Sequence, residues 1–212
     1  MPILKSINVQ NHSQIHIWEI TESLDELLEG VVWYSQEEEK YSKISNPKKK
    51  AEFLALRQCL IHHFGTNPKV RYTANGKPTI ANCFVSFSHS DSMAAFILSN
   101  THKVGIDIEE HREQIKRIAP KFMSDREALS IDADNTIEHL FFYWGAKEVV
   151  VKIEGDKQIL FRDEIFVEPF PYNEQASTTV KLRRNEQIKQ YELCFQKFEK
   201  ALISYGWSIE TN

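Results

Sequence analysis

Two short segments of the chain place carboxylates at spacings that suit one divalent cation. The first, residues 104–109, reads VGIDIE, and its alternation of isoleucine with acid indicates a strand with Asp107 and Glu109 on the same face. The second, residues 144–152, reads WGAKEVVVK and presents Glu148 from a predicted helix. Magnesium prefers oxygen ligands and is commonly held by carboxylates together with substrate phosphates. The two segments together indicate a phosphate-handling enzyme.

The predicted strand also accounts for the residues around the two acids. Ile106 and Ile108 are expected to point into the core. Gly105 removes a side chain where a ligand or another backbone can approach closely. Two acids on an edge strand are, by themselves, usually solvated residues that discourage edge pairing. The first segment therefore indicates a metal site only in combination with the second.

The helix that carries Glu148 is predicted to run from about residue 135 to residue 152 and to stop near Gly155. Its apolar stripe, at spacings of three, four and seven, consists of Ile137, Leu140, Phe141, Trp144 and Val151. Glu148 falls on that stripe, where a carboxylate requires a cation or hydrogen bonds. Lys152 lies one turn further on and can reach Glu148 or a nearby anion. Without the other motifs, such a pair is usually a surface ion pair worth ~0.5 kcal/mol or less.

Five motifs, taken in order, resemble those of the Sfp-type 4'-phosphopantetheinyl transferases. They are KKAEFLALR at residues 49–57, NGKP at 75–78, SFSHS at 86–90, GIDIE at 105–109 and WGAKEVVVK at 144–152. A GKP or SHS tripeptide alone is a weak signal, whereas five motifs in one order are specific. The resemblance covers roughly residues 35–170 and implies a 4'-phosphopantetheinyl transferase with holo-acyl-carrier-protein synthase activity.

The resemblance implies an α+β fold built from two similar α/β halves in a pseudo-twofold arrangement, each an antiparallel sheet with helices. The N-terminal half is expected at residues 1–102, with the basic helix and the GKP and SHS motifs. The C-terminal half is expected at residues 103–212, with the magnesium-binding carboxylates. The active site is expected between the halves. One chain then supplies both sides of the site, so a monomer is the simpler expectation.

The resemblance also implies a reaction and a set of site residues. The 4'-phosphopantetheine group of coenzyme A, the co-substrate, is transferred to a serine of an apo acyl or peptidyl carrier protein, releasing adenosine 3',5'-bisphosphate. The expected Mg²⁺ ligands are Asp107, Glu109 and Glu148, and the expected catalytic residues are Glu148 and Lys152. The expected coenzyme A contacts are Arg57, Lys77, Pro78, Ser88, His89 and Lys152. Glu148 is the nominated base, acting directly or through a metal-bound water.

Some of these basic residues keep alternative roles. Arg57 can reach a phosphate or cover apolar surface with its stem. Lys147 projects away from Glu148 and can contact a phosphate, contact the carrier or remain in solvent. Together with Arg57, four lysines near the start of the first long helix are the best local candidate for an anion site, namely Lys43, Lys48, Lys49 and Lys50. The alternative is a solvated basic helix start.

The remaining elements are predicted from local signals. Asn46, Pro47 and Gly65 delimit the first long helix, whose inward face is Phe53, Leu56 and Leu60. The Asn75-Gly76 pair predicts a two-residue hairpin turn. Strands near 83–88, 93–99 and 103–109 are expected to form an antiparallel meander that the Asp107 strand closes. A strand and a short helix are expected in residues 1–34, a capping box at Ser124 and Glu127, and further strands at 164–168, 180–182, 191–195 and 201–207.

Composition limits the classes of function. The chain has 212 residues, 42% of them hydrophobic, and a formal charge of −4, which argues against a general nucleic-acid binder. Three cysteines without a Cys-x-x-Cys pair indicate neither a zinc site nor a disulfide framework. No apolar run approaches the roughly 20 residues of a membrane span, and the N-terminus lacks secretory features. The cytoplasm is therefore the expected location.

Two alternatives compete with the transferase. A nucleotidyl transferase or nuclease could use the same three carboxylates, but it leaves the GKP and SHS motifs unexplained. A non-catalytic module that binds coenzyme A or a carrier protein could share the fold, but the intact Asp107, Glu109, Glu148 and Lys152 argue against it.

Overall fold

A computed structural model of the chain describes residues 4–9, 13–198 and 201–209. Two compact units, Met1–His102 and Lys103–Asn212, divide the chain. The first contains β1 (Leu4–Val9), β2 (Ser13–Glu19), α1 (Leu24–Leu28), α2 (Ser35–Ser42), α3 (Pro47–Phe64), β3 (Arg71–Tyr72), β4 (Pro78–Thr79), β5 (Phe84–Ser90) and β6 (Met93–Ser99). The second contains β7 (Val104–Glu110), α4 (Gln114–Phe122), α5 (Asp125–Ala128), α6 (Thr136–Glu154), β8 (Ile165–Val167), β9 (Gln175–Arg184), β10 (Gln187–Phe198) and β11 (Ala201–Ile209). The predicted α+β class, with antiparallel sheets and several helices, is confirmed.

The first unit is built around a four-stranded antiparallel sheet in the order β1-β2-β6-β5. Helix α3 packs against β2, β5 and β6 and buries Leu54, Ala55 and Leu60. The predicted limits of this helix are confirmed: the Asn46 side chain accepts from Lys48 N at 2.9 Å, and Gly65 ends the helix with φ 67°. The predicted inward face is partly wrong, because Phe53 is only half-buried beside Trp33 and Tyr41.

The hairpin of β3 and β4 has a longer turn than the sequence predicts. Tyr72 pairs with Pro78, Thr73 N donates to Lys77 O at 3.0 Å, and Gly76 N donates to Thr73 O at 2.8 Å. Gly76 has a positive φ of 82°, whereas Asn75 is not among the positive-φ residues. A two-residue type I′ turn needs positive φ at both central positions, so this turn is instead the three-residue kind with Gly in the left-handed position.

The second unit contains a five-stranded antiparallel sheet in the order β7-β11-β10-β9-β8. The predicted meander is therefore wrong at its last strand. Strand β6 has β2 and β5 as neighbours, while β7, the strand of Asp107, pairs with β11 about 95 residues later in the chain. Each strand is located correctly by its own sequence pattern, but that pattern does not specify a partner.

Helix α6 is buried on almost every side. Its predicted end at Gly155 is confirmed, with φ 69° and a hydrogen bond of 2.8 Å from Gly155 N to Val151 O. The predicted apolar stripe is confirmed at Ile137, Leu140 and Phe141, which are 5 to 8% exposed, whereas Trp144, Glu148 and Val151 are only half-buried. The deeper side consists of Phe142, Tyr143, Ala146, Val149, Val150 and Ile153, each at most 1% exposed. A helix that is hydrophobic all round gives no strong periodic signal for its inner face.

The other local predictions are largely confirmed. Ser124 and Glu127 form the expected capping box at α5, and the expected strands occur as β2, β8, β9, β10 and β11. Helices α2 and α4 were not predicted from the sequence. Residues 1–3, 10–12, 199–200 and 210–212, which the halves predicted from sequence include, lie outside the described residues. Among the helices described, none has the length and apolarity to cross a bilayer.

Candidate active site

Asp107 lies in the middle of β7, opposite Ser204 of β11, and only 5% of it is exposed. Ile106 and Ile108 are buried as predicted. Helix α6 packs on β7 and β11 at this point, and a Cβ on Gly145 would lie 3.6 Å from Asp107 Oδ2. The carboxylate of Asp107 is therefore held beneath α6.

Two glycines allow the helix to lie this close to the sheet. A Cβ on Gly105 would lie 2.6 Å from Val149 O, a distance that real Cβ atoms essentially never show. A Cβ on Gly145 would overlap Ser204 Oγ and lie 2.7 Å from Ser204 Cβ. Of the two explanations offered for Gly105, the approach of another backbone is the one the structure supports.

Lys152 connects α6 to β7. Its Nζ lies 2.7 Å from Asp107 Oδ1 and donates to Ile106 O at 2.8 Å. Two partners were predicted for Lys152 from the sequence, Glu148 or a nearby anion. The structure shows contact with a nearby anion, the carboxylate of Asp107. An ammonium held by two acceptors from one strand has a defined position, which suits a residue that stabilises charge on a substrate.

Glu109 and Glu148 belong to the same electrostatic cluster as Asp107. Burial raises the pKa of Glu109 to about 7, and the charge of Asp107 acts in the same direction. Burial likewise raises the pKa of Glu148 to about 7, with a further upward contribution from Asp107, while Lys152 lowers the pKa. The structure therefore brings together Asp107, Glu109, Glu148 and Lys152 from two elements.

These carboxylates have the chemistry of a magnesium site. They supply oxygen ligands, and their mutual repulsion is the kind that a divalent cation relieves. Within the part of the chain that the structure describes, no three acidic, histidine or cysteine side chains are already arranged around one ion position. The donor set fits magnesium in its chemistry.

Lys147 has a different role from those considered in the sequence analysis. It is fully buried and lies 2.9 Å from Glu127 Oε2. It also donates to three carbonyl oxygens, those of Phe122, Phe161 and Ile165, at 2.7 to 2.9 Å. Burial lowers the pKa of Lys147, while the charge of Glu127 opposes that change. The predicted phosphate, carrier and solvent contacts are all wrong, because every direction around this ammonium is occupied by the protein.

In the first unit, His89 lies near the end of β5 with a side chain that is 44% exposed. Its Nδ1 is 2.6 Å from Glu52 Oε2, and Lys49 Nζ is 2.7 Å from the same oxygen. Glu52 itself is fully buried in α3. The sequence analysis did not single out Glu52. The sequence did contain a signal for it: Glu52 lies one and two helical turns before Leu56 and Leu60, on the same apolar stripe. A buried acid at such a position requires hydrogen-bond or ionic partners.

Arg57 does not fit the phosphate-binding role expected from the resemblance. Its side chain is 2% exposed, and its guanidinium lies 2.7 Å from Glu37 Oε1. It also donates to Pro68 O at 2.8 Å and to Asn67 Oδ1. The guanidinium is thus used within the unit, where it ties α3 to α2 and to the segment before β3.

The other expected coenzyme A residues of this unit lie on separate elements. Lys77 and Pro78 are half-buried in the β3–β4 hairpin. Ser88 is 7% exposed, and as the neighbour of His89 in β5 it projects from the opposite face of the strand. Their contacts with coenzyme A remain predictions.

The second unit is similar to proteins of a known family. Residues 103–205 match the model of the 4'-phosphopantetheinyl transferase superfamily, and this match lies wholly in the second unit and includes all four clustered residues. Residues 103–205 are therefore similar to the 4'-phosphopantetheinyl transferase superfamily, and the named relatives indicate an enzyme of that transferase class. The resemblance drawn from the five motifs is confirmed at this level, while the Sfp-type assignment remains a prediction.

Two curated relatives carry the name of this class. The 4'-phosphopantetheinyl transferase HetI of Nostoc sp. (strain PCC 7120) is 28% identical over 166 residues, which are 68% of this chain and 69% of HetI. The 4'-phosphopantetheinyl transferase AcpT of Escherichia coli (strain K12) is 31% identical over 115 residues. That alignment covers 50% of this chain and 59% of AcpT.

Proposed function

We propose that this chain transfers the 4'-phosphopantetheine group of coenzyme A to a serine hydroxyl of an apo acyl or peptidyl carrier protein. The serine oxygen forms a bond to the phosphorus that carries the pantetheine arm. The bond from that phosphorus to the bridging oxygen of the pyrophosphate breaks, and adenosine 3',5'-bisphosphate leaves. The proton of the serine hydroxyl passes to a base on the enzyme.

One observation carries this proposal. Asp107 and Glu109 of β7 and Glu148 and Lys152 of α6 form one cluster, in which Lys152 Nζ lies 2.7 Å from Asp107 Oδ1. Phosphoryl transfer depends on positioning and on the stabilisation of charge at phosphate oxygens. A fixed ammonium beside three carboxylates that can share a metal ion supplies both requirements.

Glu148 is the proposed base. Because Glu148 is also a proposed ligand of Mg²⁺, it can accept the proton only through a carboxylate oxygen that the cation leaves free. Lys152 is the proposed cation for the pyrophosphate oxygens, held in place by Asp107 and the Ile106 carbonyl. The two residues lie one helical turn apart on the less buried side of α6.

Asp107, Glu109 and Glu148 are the proposed ligands of Mg²⁺. When bound, magnesium would neutralise charge on the pyrophosphate oxygens. The support is the donor chemistry and the raised pKa of Glu109 and of Glu148, each caused first by burial and then by the charge of Asp107.

The first unit is proposed to contribute contacts to the phosphates of coenzyme A. His89 and Lys49 are the basic residues that support this, because both contact Glu52 near the start of α3. Lys77, Pro78 and Ser88 are kept as proposed contacts. Arg57 is not kept as a contact, because its buried guanidinium is already bonded to Glu37, Asn67 and Pro68.

Intact-mass spectrometry tests the proposal. An apo acyl carrier protein is incubated with the full chain, coenzyme A and magnesium, with Asp107→Ala and a chelator-treated sample in parallel. The expected result is a mass gain of one phosphopantetheinyl group that is lost in both controls. If several unrelated carriers gain no mass although the chain is folded and binds coenzyme A, the non-catalytic module becomes the better account.

A further inference from the structure

A buried carboxylate in the first unit has two basic partners of different kinds. Glu52 is fully buried, and its Oε2 lies 2.6 Å from His89 Nδ1 and 2.7 Å from Lys49 Nζ. Lys49 also donates to Glu52 Oε1 at 3.0 Å. The side chains of both partners are about half exposed, at 44% for His89 and 53% for Lys49. The acid is therefore inside the protein while its two partners reach the surface.

A second ion pair lies close to the first along the chain. Lys48 Nζ is 2.9 Å from Asp91 Oδ1, which joins the first turn of α3 to the turn between β5 and β6. Lys48 and Asp91 are the sequence neighbours of Lys49 and of the β5 end that carries His89. The helix start and the strand end are thus linked twice, which restricts the movement of His89 relative to Lys49.

The geometry determines what the His89 ring can do. A carboxylate beside Nδ1 fixes the orientation of an imidazole and favours a proton on that nitrogen. The opposite nitrogen, Nε2, then points away from Glu52. Such a ring, next to an ammonium, is suited to an anion with several oxygens.

We propose that Glu52 is a positioning residue that holds His89 and Lys49 side by side as a phosphate-binding pair. The ligand class is a phosphate ester, and under the proposed function it is a phosphate of coenzyme A. The inference rests on the proposed function for the identity of this ligand. Glu52 acts through its two partners and does not itself contact the substrate.

The competing account is that Glu52 only fastens α3 to β5. A fastening role predicts that loss of the carboxylate lowers stability and leaves the affinity for phosphate unchanged. Glu52→Gln separates the two accounts, because glutamine keeps the size and an acceptor oxygen but removes the charge. Glu39→Gln is the matched control, since Glu39 forms an exposed ion pair with Lys43 on α2.

The first readout is the imidazole ¹⁵N spectrum of His89 in the full chain at pH 7, assigned by the loss of its signals in His89→Gln. The charged neighbours to be considered are Glu52 and Lys49 on α3 and the Lys48–Asp91 pair beside them. In Glu52→Gln the signals are expected to move toward those of a ring with mixed tautomers, because Nδ1 loses its carboxylate partner. In Glu39→Gln they are expected to match the unaltered chain. This readout does not depend on transfer activity.

The second readout is calorimetric affinity for coenzyme A and for 3'-dephospho-coenzyme A, together with KM and kcat. Glu52→Gln is expected to weaken coenzyme A binding and raise its KM about tenfold, with kcat changed less than twofold. An effect on coenzyme A alone assigns the pair to the 3'-phosphate, and an equal effect on both ligands assigns it to the pyrophosphate. Each of these outcomes supports a phosphate-binding pair.

Unchanged affinities in folded Glu52→Gln would overturn the inference, whether or not the ¹⁵N signals of His89 move. If that variant does not fold, His89→Gln and Lys49→Gln provide the test with adenosine 3',5'-bisphosphate as the probe: both should weaken binding, and normal binding in both rejects the pair. If the unaltered chain transfers nothing to any carrier but the ¹⁵N and affinity changes are found, the proposed function fails while the role of Glu52 stands.

Discussion

Lys152 Nζ lies 2.7 Å from Asp107 Oδ1, so a single ion pair joins the last turns of α6 to the middle of β7. The side chain of Asp107 is 7% exposed and that of Lys152 is 25% exposed. Burial of a carboxylate is costly unless a cation or donor compensates it. The pair therefore has consequences both for stability and for the chemistry proposed at this site.

Substitution of Lys152 by methionine is expected to lower both stability and activity. The buried carboxylate of Asp107 loses its cation, so the free energy of unfolding should fall by about 1 to 3 kcal/mol. Transfer should fall at least tenfold, on the order of the loss of one charge-stabilising group. Urea unfolding and the carrier mass assay measure the two effects. Lys116→Met, at an exposed ion pair with Glu113, is the control, and equal behaviour of the two variants would reject the proposed role of Lys152.

Magnesium is expected to stabilise the chain against heat. A ligand that binds only the folded state raises the melting temperature as its concentration exceeds the dissociation constant. The rise in Tm should be largely lost in Asp107→Asn and in Glu148→Gln, since each removes a proposed ligand charge. Glu113→Gln, at an exposed acid of the same unit, should retain it. A magnesium effect that is identical in all four proteins would place the ion elsewhere.

Gly145→Ala is expected to destabilise the chain although alanine is the better helix former by about 1 kcal/mol. The new Cβ would overlap Ser204 Oγ and lie 2.7 Å from Ser204 Cβ, so α6 must move away from β11. Overpacking of this kind costs roughly 1 to 3 kcal/mol. Denaturant unfolding measures the loss, and Ser204→Gly in the same chain should restore most of it. No recovery in the double variant would mean that the contact is not the cause.

Lys147→Met is expected to be among the most destabilising single changes in the second unit. It leaves the buried Glu127 carboxylate without its cation and three carbonyl oxygens without their shared donor. Breaking a buried pair from one side typically costs about 3 to 5 kcal/mol. The combination with Glu127→Gln should cost less than the sum of the single changes, as measured by urea unfolding. Strict additivity would contradict the coupling seen in the structure.

Stability of the first unit is expected to decline in mild acid because of His16. Burial lowers the pKa of His16 to about 4, and His63 and His62 act in the same direction. The unfolded chain binds the proton at the ordinary value of about 6.5, so stability is full above that pH and declines as the pH falls towards 4. The loss can reach about 3 kcal/mol.

The variant His16→Gln tests the origin of this acid sensitivity. His16 Nε2 is buried with no hydrogen-bond partner among the residues described, so protonation there places an unpaired charge in the core. The variant should show a flatter dependence of the urea midpoint on pH between 4 and 6.5. His111→Gln, at a half-exposed ring, should keep the steep dependence. An unchanged slope in His16→Gln would assign the acid sensitivity to other groups.

The sequence determined those features that depend on neighbours along the chain. The limits of α3 and α6 follow from Asn46, Gly65 and Gly155, because caps and left-handed glycines act within one helical turn. The side-by-side placement of Asp107 and Glu109 follows from the two-residue repeat of a strand. These local rules placed Asp107 and Glu109 on one face of a strand and Glu148 and Lys152 one turn apart on a helix, whereas the superfamily was indicated by the resemblance of the five motifs.

Only the tertiary structure decided which elements meet. The sequence placed β7 beside β6, whereas β7 pairs with β11, because strand patterns encode a buried face and not a partner. For two pairs of cations, Lys147 with Lys152 and Arg57 with Lys49, the sequence did not show which member is structural. A position on a helix gives the direction of a side chain but not its surroundings. In each pair, one cation is enclosed by acceptors of the protein and the other reaches the surface. Solvent and partner access, which separate structural from functional charges, arise from contacts between distant segments.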